Sequence, residues 1–442
     1  MKKLKLHGEA ARYFYLAFEG GYNRANTLEN LIYCLRISGN VRSAREYLGR
    51  YEESDLLTPN LANLIAMDSF NAGDFDKAGL FLRKALAAKS DDLFYKSLEE
   101  SLRAAAVVNT EKRRVGFHLN QVFHYHIMKP IFDSLKNDFY CLMTADLLTL
   151  REFEPDVVFV ANSQANPIRE VLPNACFIYT RHGLISKNFV FNAARGCDYV
   201  MVPGPDQKRE FVERGGFSPD KIWVTGYSQM DPLFRNETED PGFDIDPSKP
   251  TLLYAPTFSP GLSSIPLVDS LLRTNPDGLD DMNVIMKLHP LAPEFYPREW
   301  RSLKHLTHEK ENMFFAEASS QNIVNYLAVA DVLLSDLSSV VFQFLALDRP
   351  IVTVNHPNRR TCQQYDPDGL EWRWRDMGDE VEDMAELLPA IRHAAANPEE
   401  KKEIRGKYRS LLFGDIVDGR TGDRVRSHLM EHFEKVGQEA SR

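Results

Sequence analysis

The sequence predicts an α/β protein with two doubly wound parallel sheets in succession, preceded by an all-helical repeat region. Residues 1 to about 105 contain few strand-like runs. From Val115 onward, short apolar runs alternate with amphipathic segments, which is typical of a parallel sheet with crossover helices. A polar stretch with several prolines, 236–250, separates two such series and is the best linker candidate. We therefore expect three parts, 1–110, 111–240 and 241–442.

Composition and charge narrow the class of protein. The 442 residues are 43% hydrophobic and 26% charged, as in soluble globular proteins, and the net charge of -10 disfavours nucleic-acid binding. No apolar run approaches the roughly 18 residues of a membrane span. The basic start is followed by Glu9 and Arg12 without an apolar core, so we expect no signal peptide. Five scattered cysteines without a CxxC pair predict free thiols and a cytoplasmic protein.

The helical region contains an internal repeat. The segment 38–48 aligns with 72–82, with Gly39 and Gly73 in register and Ala44 and Ala78 in register, an offset of 34 residues that is the tetratricopeptide period. The region therefore resembles two to three degenerate tetratricopeptide repeats, which stack helix pairs and commonly bind a protein partner. A plain helical cap packed on the rest of the chain explains the pattern equally well.

Ten apolar runs predict the strands of the two sheets. The first series comprises 115–119, 156–161, 176–180, 198–202 and 222–225, and the second comprises 251–255, 284–288, 313–315, 332–334 and 351–354. From about Glu380 the chain reads as helical. Ligands of doubly wound sheets bind at the carboxyl ends of the strands, so we expect the site there, in a cleft between the two halves.

Polar residues follow several of these predicted strands, which is the placement expected of a ligand site. They are His182, Gly226, Thr257, Lys287, His289, Asp336, Ser338 and Ser339. The turn that contains Asp336, Ser338 and Ser339 leads from a buried strand into an apolar helix, and such residues are good helix caps. Backbone N–H groups and the helix dipole at that point favour a phosphate. Ordinary capping remains an equal alternative, and no dinucleotide, P-loop or zinc-protease motif appears.

Seven segments, in order along roughly residues 115–430, resemble motifs of the CDP-glycerol glycerophosphotransferases, the teichoic-acid polymerases. They are Tyr179-Thr180-Arg181-His182-Gly183-Leu184, Val224-Thr225-Gly226-Tyr227-Ser228-Gln229-Met230-Asp231, Leu253-Tyr254-Ala255-Pro256-Thr257-Phe258, Lys287-Leu288-His289-Pro290, Ser335-Asp336-Leu337-Ser338-Ser339, Arg349-Pro350-Ile351 and Asp418-Gly419-Arg420 through Arg424. The helical front end lies outside this resemblance.

The resemblance implies the GT-B fold, in which two Rossmann-like domains face a cleft. It implies transfer of a polyol phosphate, typically glycerol phosphate, from a CDP-activated donor to a hydroxyl of a growing cell-surface polymer, with release of CMP. By the resemblance, His182 is the general base and His289 supports the leaving CMP at the pyrophosphate. The other donor or phosphate contacts that it implies are Thr257, Lys287, Asp336, Ser338, Ser339, Gly226 and Asp418.

Four positions depart from the family pattern, so the donor and acceptor stay open. Arg181 replaces a Trp, Ser228 a Pro, Gln229 an Arg and Leu337 a Tyr. Loss of the Arg at position 229 removes a potential phosphate contact. One alternative is a GT-B glycosyltransferase that uses a CMP- or UDP-sugar for a capsule or surface polysaccharide. Another is a non-catalytic repeat scaffold, which the retained histidines and serines disfavour.

The remaining expectations concern metals, partners and location. The segments 74–76 and 244–246 carry two aspartates each but are more typical of solvated loops, so the sequence establishes no cofactor and leaves a divalent metal open. We expect a CDP-polyol or nucleotide-sugar donor and a lipid-linked or oligomeric polymer acceptor, and a protein bound by the repeats is a further candidate partner. Because surface polymers grow on membrane carriers, we expect attachment to the inner face of the membrane. Lys112-Arg113-Arg114 is a candidate patch for it.

Overall fold

Two six-stranded sheets form the framework of the protein. The computed structural model describes residues 2–162, 165–184, 188–316 and 322–440. The first sheet has the order β2-β1-β3-β4-β5-β6 and the second β12-β11-β10-β7-β8-β9. The strands are β1 Arg114–His118, β2 Tyr140–Thr144, β3 Val157–Val160, β4 Cys176–Tyr179, β5 Tyr199–Val202, β6 Ile222–Val224, β7 Thr251–Tyr254, β8 Asn283–Met286, β9 Met313–Phe315, β10 Val332–Ser335, β11 Ile351–Val354 and β12 Asp379–Val381. All five neighbouring pairs of the second sheet are parallel.

Helices precede the first sheet and connect the strands of both. They are α1 Lys2–Glu19, α2 Arg24–Ile37, α3 Val41–Tyr51, α4 Pro59–Asn71, α5 Phe75–Ala88, α6 Leu93–Ala105, α7 His124–Leu135, α8 Leu147–Phe153, α9 Ala165–Arg169, α10 Asn188–Ala194, α11 Pro205–Glu213, α12 Asp231–Phe234, α13 Ile265–Thr274, α14 Ala292–Phe295, α15 Pro297–His308, α16 Ile323–Val329, α17 Val340–Leu345, α18 Leu370–Arg373, α19 Leu387–Ala396, α20 Lys402–Phe413 and α21 Thr421–Ala440. Within the described ranges, none of them is both long and apolar enough to cross a membrane.

Each of the ten predicted strands is present, within one or two residues of its expected bounds, and two further strands were missed. The strand β2 reads Tyr-Cys-Leu-Met-Thr, and so short an apolar run does not distinguish a strand from a helix. The strand β12 lies at the edge of the second sheet and reads Asp-Glu-Val, which contradicts the prediction that the chain is helical from about Glu380. Its two charged residues, half-buried Asp379 and exposed Glu380, suit an edge strand.

The predicted helix pairs of the front region are present. Gly39 and Gly73 both end a helix with positive φ, +88° and +77°, where glycine is favoured. Ala44 and Ala78, one repeat apart, are both fully buried, which allows the paired helices to approach closely. The identification of these pairs as tetratricopeptide repeats stays a prediction.

The chain divides into two compact units, of which the first comprises 1–125, 135–159 and 167–176. Its helices share one hydrophobic core with Tyr140, Leu142 and Phe153. Polar contacts reinforce that core, because the Ser97 hydroxyl donates to the carbonyl of Met143 at 3.1 Å. The boundary predicted at residue 110 is untested, but the helices before it and β2 after it are packed together.

The second unit comprises 126–134, 160–166 and 177–442 and contains the whole second sheet. Apolar side chains cover both faces of this sheet. Leu253 of β7 belongs to one hydrophobic cluster, whereas its neighbours Leu252 and Tyr254 belong to another. This alternation confirms the prediction of a doubly wound sheet with helices on both faces.

Candidate active site

Except for Asp418, which lies between α20 and α21, the predicted site residues lie where strands end. His182 follows β4, Thr257 follows β7, and Lys287 and His289 follow β8, while the turn 336–339 follows β10. The strands β10, β7 and β8 are neighbours in the second sheet. The carboxyl ends of parallel strands lie along one edge of a sheet, so the turns that follow β10, β7 and β8 lie side by side.

The tautomer of His182 is fixed by the backbone. Its Nδ1 lies 2.9 Å from the carbonyl oxygen of Ala161, which can only accept a hydrogen bond. Nδ1 therefore carries the proton and Nε2 is the basic nitrogen. Burial and the nearby Arg181 charge lower the pKa of His182, while the bond to Ala161 opposes this change. The lowered pKa favours the neutral ring, in which Nε2 is the nitrogen that lacks a proton.

Arg181, which replaces the family Trp, holds the backbone next to His182. It adopts φ +63°, a left-handed conformation that is uncommon for a side chain of this size. The side chain is 1% exposed, donates from Nη1 to Gln207 and stacks over the Phe211 ring at 5.4 Å. Burial lowers the pKa of Arg181, and the charge of the buried Glu371 opposes this change. The guanidinium is therefore engaged within the protein rather than offered to a ligand.

The loop that carries His182 approaches the serine turn closely. A Cβ at Gly183 would lie 3.0 Å from both Cβ and Oγ of Ser339. That separation is tighter than side chains normally tolerate, so only glycine fits without displacing the serine. The Gly of the predicted His-Gly pair thus lets the end of β4 and the turn after β10 come into contact.

The carboxylate of Asp336 holds two segments that follow β7. Its Oδ1 accepts the backbone N–H of Thr257 at 2.7 Å, and its Oδ2 accepts the backbone N–H and the hydroxyl of Ser264 at 2.7 and 2.8 Å. The residue is 1% exposed, and burial raises its pKa to about 6. Asp336 was predicted as a donor contact, but both of its oxygens are used inside the protein. A supporting role is therefore what we propose for it.

Ser264 and Arg375 support the same turn, and sequence reasoning missed both. Arg375 donates from Nη1 to the carbonyl oxygen of Asp336 at 2.8 Å and from Nη2 to Asn355 Oδ1 at 2.8 Å. It is 5% exposed, and burial lowers its pKa to about 10. Neither residue stands in a motif, and a buried arginine far along the chain gives no signal in a single sequence.

Ser338 and Ser339 lie half-buried at the start of α17, which is only six residues long. The Ser338 Oγ accepts the N–H of Val340 at 3.3 Å, a weak capping bond. Ser339 occupies the N-cap position, yet its hydroxyl makes no capping hydrogen bond. The hydroxyl of Ser339 therefore does not serve the capping role that was the alternative explanation for this serine.

His289 has the tautomer opposite to that of His182. Its Nδ1 accepts the backbone N–H of Leu291 at 3.1 Å, so its proton is on Nε2. The centres of the His289 and Phe258 rings lie 4.2 Å apart. Burial, with a smaller contribution from His182, lowers the pKa of His289 to about 4.

Lys287, two residues before His289, is also half-buried. Burial lowers the pKa of Lys287 to about 8, and its Nζ lies 5.5 Å from the centre of the Tyr326 ring.

Gly226 and Asp418 organise the last helix. Gly226 adopts φ +99°, and a Cβ there would lie 2.5 Å from Thr421 Oγ1. Asp231, which sequence reasoning did not assign to the site, accepts the N–H and the hydroxyl of Thr421 at 3.0 and 2.7 Å. Partial burial raises the pKa of Asp418, but the two hydrogen bonds that it accepts from Arg424, together with the N–H of Arg420, lower it overall. The predicted donor roles of Gly226 and Asp418 stay predictions.

Gln229, which replaces the family Arg, belongs to a buried amide network. Its Oε1 accepts from Tyr227 Oη at 3.1 Å and from Gln343 Nε2 at 2.9 Å. Its Nε2 donates to Asn322 Oδ1 at 3.2 Å. The amide thus links three elements without a charge, so this position provides no cation for a phosphate.

No group of three or more His, Cys, Asp or Glu side chains suited to a metal ion occurs among the described residues.

The sequence matches one protein family and two of its characterised relatives. The model of the family "CDP-Glycerol:Poly(glycerophosphate) glycerophosphotransferase" matches residues 157–431. A teichoic acid glycerol-phosphate transferase of Staphylococcus aureus is 24% identical over 245 residues, 52% of this chain and 59% of that protein. A teichoic acid glycerol-phosphate primase of Bacillus subtilis is 24% identical over 157 residues, 35% of this chain and 39% of that protein. The chain thus spans less than two thirds of the length of either relative.

Solved structures share the fold at low identity. The wall teichoic acid polymerase TagF superimposes with a TM-score of 0.54 at 13% identity, covering 82% of this chain and 98% of that one. A Listeria monocytogenes protein described as a UDP-N-acetylglucosamine 2-epimerase gives 0.50 at 13% identity, covering 73% and 97%. These likenesses establish the predicted GT-B fold. Because the family model covers more than half of the sequence, the chain belongs to the CDP-glycerol:poly(glycerophosphate) glycerophosphotransferase family.

Proposed function

We propose that the chain transfers a polyol phosphate, glycerol phosphate or a similar one, from a CDP-activated donor to a hydroxyl of a growing cell-surface polymer. The family assignment supports this class of reaction. The observation that carries it is the pair of opposite tautomers at His182 and His289, one a proton acceptor and the other a donor. In this proposal residues 111–240 bind the acceptor and residues 241–442 bind the donor nucleotide.

His182 acts as the general base. Its Nε2 accepts the proton of the acceptor hydroxyl as that oxygen attacks the β-phosphorus of the donor. Because the Nδ1 proton is held by Ala161, the imidazolium that forms remains hydrogen-bonded and correctly oriented. A lowered pKa keeps the base unprotonated at neutral pH.

His289 acts on the donor side. The new bond joins the acceptor oxygen to the β-phosphorus, and the bond from that phosphorus to the bridging oxygen breaks, so CMP leaves with the electron pair. The Nε2–H of His289 donates to the pyrophosphate as this negative charge develops. Lys287 supplies a positive charge close by, and its pKa of about 8 leaves it largely protonated at neutral pH.

The serine turn completes the phosphate contacts. The hydroxyls of Ser338 and Ser339 donate to the pyrophosphate, and the contact between Gly183 and Ser339 sets their distance from His182. Thr257, which Asp336 anchors through its backbone N–H, adds a hydroxyl on the same side. Gly226 and Asp418 border the donor through the segments they organise around Thr421 and Arg424.

A donor screen tests the proposal. We expect the purified chain to release CMP from CDP-glycerol or CDP-ribitol with a suitable polymer acceptor, and ³¹P NMR to detect a phosphodiester in the product. His182→Ala should abolish both signals. Turnover with a CMP- or UDP-sugar alone, without a phosphodiester, would assign the chain to the glycosyltransferases. Absence of turnover with every donor would favour the scaffold alternative.

We further propose that the chain works at the inner face of the cell membrane on a lipid-linked acceptor, and that the helical region binds a protein partner. The assignment of relatives to teichoic acid synthesis supports the first point. The stacked helix pairs with their repeated Gly and Ala positions support the second.

A further inference from the structure

A nearly buried histidine ends the first strand of the first unit. His118 is the last residue of β1 and is 7% exposed. No hydrogen bond joins its ring to any residue that the structure describes. Buried polar groups are nearly always hydrogen-bonded, because an orphaned donor or acceptor costs free energy. The ring of His118 therefore needs a partner that the described chain does not provide.

The position of His118 is one at which ligands of parallel sheets bind. His118 pairs in register with Thr144 of the parallel strand β2, so both residues lie at carboxyl ends of strands. Side chains of a strand alternate between its faces, so His118 shares a face with Gly116. A Cβ at Gly116 would lie 2.6 Å from Leu150 of α8. His118 therefore lies on the side of the sheet that α8 covers.

The carboxylate of Asp146 caps the start of α8 and has one oxygen left over. Its Oδ2 accepts the backbone N–H and the hydroxyl of Thr149 at 2.7 and 2.6 Å, and also Nη2 of Arg36 at 2.6 Å. Its Oδ1 accepts no hydrogen bond from the described part of the chain, and the side chain is 27% exposed. Asp146 thus commits one oxygen to the protein and can offer the other to a ligand.

Arg36 of α2 positions this carboxylate from the front helices. Its Nη1 donates to Asp68 of α4 at 3.1 Å while its Nη2 donates to Asp146, and its side chain is 4% exposed. The guanidinium is therefore used inside the protein and provides no contact for an anion. His118, Asp146 and Arg36 all precede residues 157–431, the segment that the family model matches.

The chemistry of His118 and Asp146 suits neutral hydroxyl groups rather than a phosphate. Burial lowers the pKa of His118 to about 4, although the charge of Asp146 opposes this change, so the ring is neutral at pH 7. A neutral imidazole has one nitrogen that donates and one that accepts, which matches a hydroxyl. The Oδ1 of Asp146 accepts from a second hydroxyl, and its negative charge repels a phosphate.

We propose that His118 and Asp146 bind a hydroxyl-rich unit of the polymer acceptor, either an open-chain polyol or a sugar ring. The ring of His118 bonds one hydroxyl, and Oδ1 of Asp146 accepts from another. The proposal deepens the acceptor binding proposed above and rests on it for its biological purpose. The binding itself can be measured without donor or turnover.

Histidine NMR of the full chain, labelled with ¹³C in its imidazole rings, locates the site. Ribitol is the probe of an open-chain polyol and glucose the probe of a sugar ring. The signal of His118 is assigned by its absence from His118→Leu. We expect ribitol or glucose to shift this signal and inorganic phosphate to leave it in place. The probe that binds more tightly identifies the unit that the site accepts.

Saturation-transfer NMR with the same probes measures the affinity of the variants. His118→Leu should weaken binding about tenfold or more, because its side chain can neither donate nor accept. His118→Gln, whose amide retains a donor and an acceptor, should bind more tightly than the leucine variant. His305→Leu, at a 73% exposed histidine on α15, is the control and should bind like the unmodified chain. Thermal melting should show His118→Leu at least as stable as the unmodified chain, because an orphaned polar group is removed.

The remaining outcomes distinguish this site from its alternatives. Equal affinity of His118→Leu and the unmodified chain for both probes would overturn the proposal, as would a shift of the His118 signal by phosphate alone. A lowered melting temperature of His118→Leu, without binding of either probe by the unmodified chain, would identify His118 as a core residue and also overturn it. Binding that depends on His118, together with failure of the donor screen, would reject the proposed function while leaving this site in place.

Discussion

The two histidines of the candidate active site follow different strands, and backbone hydrogen bonds fix opposite tautomers on them. His182 meets a carbonyl oxygen at Nδ1, whereas His289 meets an N–H at the same ring position. The first is therefore left with a basic Nε2 and the second with a protonated one. The backbone group that faces Nδ1 in each local turn therefore determines which histidine can serve as the base and which as the hydrogen-bond donor.

Replacement of His182 should have the largest effect. His182→Gln removes the only proposed base, and an amide cannot accept a proton at neutral pH. We expect kcat to fall about 10³-fold, within the range of general base catalysis. Steady-state release of CMP measures it. If the glutamine variant retained most of the activity, His182 would not be the base.

His289 should respond differently to the same substitution. His289→Gln retains an N–H donor, so we expect a loss of only about tenfold, whereas His289→Ala should lose about 10²-fold, as for removal of one oxyanion donor. The measurement is the ratio of kcat of the glutamine variant to kcat of the alanine variant at each of the two positions. Rescue by glutamine at position 182 but not at 289 would reverse the assignment of roles.

The pH dependence distinguishes the base from a solvent-exposed imidazole. Burial lowers the pKa of His182, so the acidic limb of the kcat/KM profile should lie below the usual 6.5.

The pH dependence of stability should reflect His289. Burial lowers the pKa of His289 to about 4, so between about pH 6.5 and 4 the unfolded chain binds more protons at this position than the folded one. The contribution of His289 to the free energy of unfolding is therefore fully present above pH 6.5 and declines as the pH falls. Denaturant titrations should show a shallower decline for His289→Gln.

The smallest expected effect concerns the contact between the loop of His182 and the serine turn. A Cβ at Gly183 would lie 3.0 Å from Ser339, so Gly183→Ala should displace the serine and raise the KM for the donor about tenfold. Gly49→Ala is the control, because nothing lies within 4 Å of a Cβ there. An unchanged KM in both variants would show that Ser339 does not contact the donor.

The sequence predicted more of the framework than of the site. Apolar runs located the strands because buried parallel strands read as continuous hydrophobic segments, and the strand ends then located His182, His289 and Ser339. The direction of a side chain is set by tertiary packing instead. Neither the inward engagement of Asp336 nor the burial of Arg181 follows from a local pattern. The missed strand β12 shows the same limit, since an edge strand needs no apolar run.

The core that the front helices share with β2 has a consequence for biosynthesis. Phe70 of α4 stacks against Tyr140 at 5.8 Å, and Arg36 of α2 pairs with Asp146 beyond that strand. The front helices leave the ribosome well before these partners. The apolar side chains that the helices bury against β2 and α8 therefore stay exposed until residues near 153 have emerged. Nascent chains arrested before that point should therefore attract chaperones, and those arrested after it should resist proteolysis.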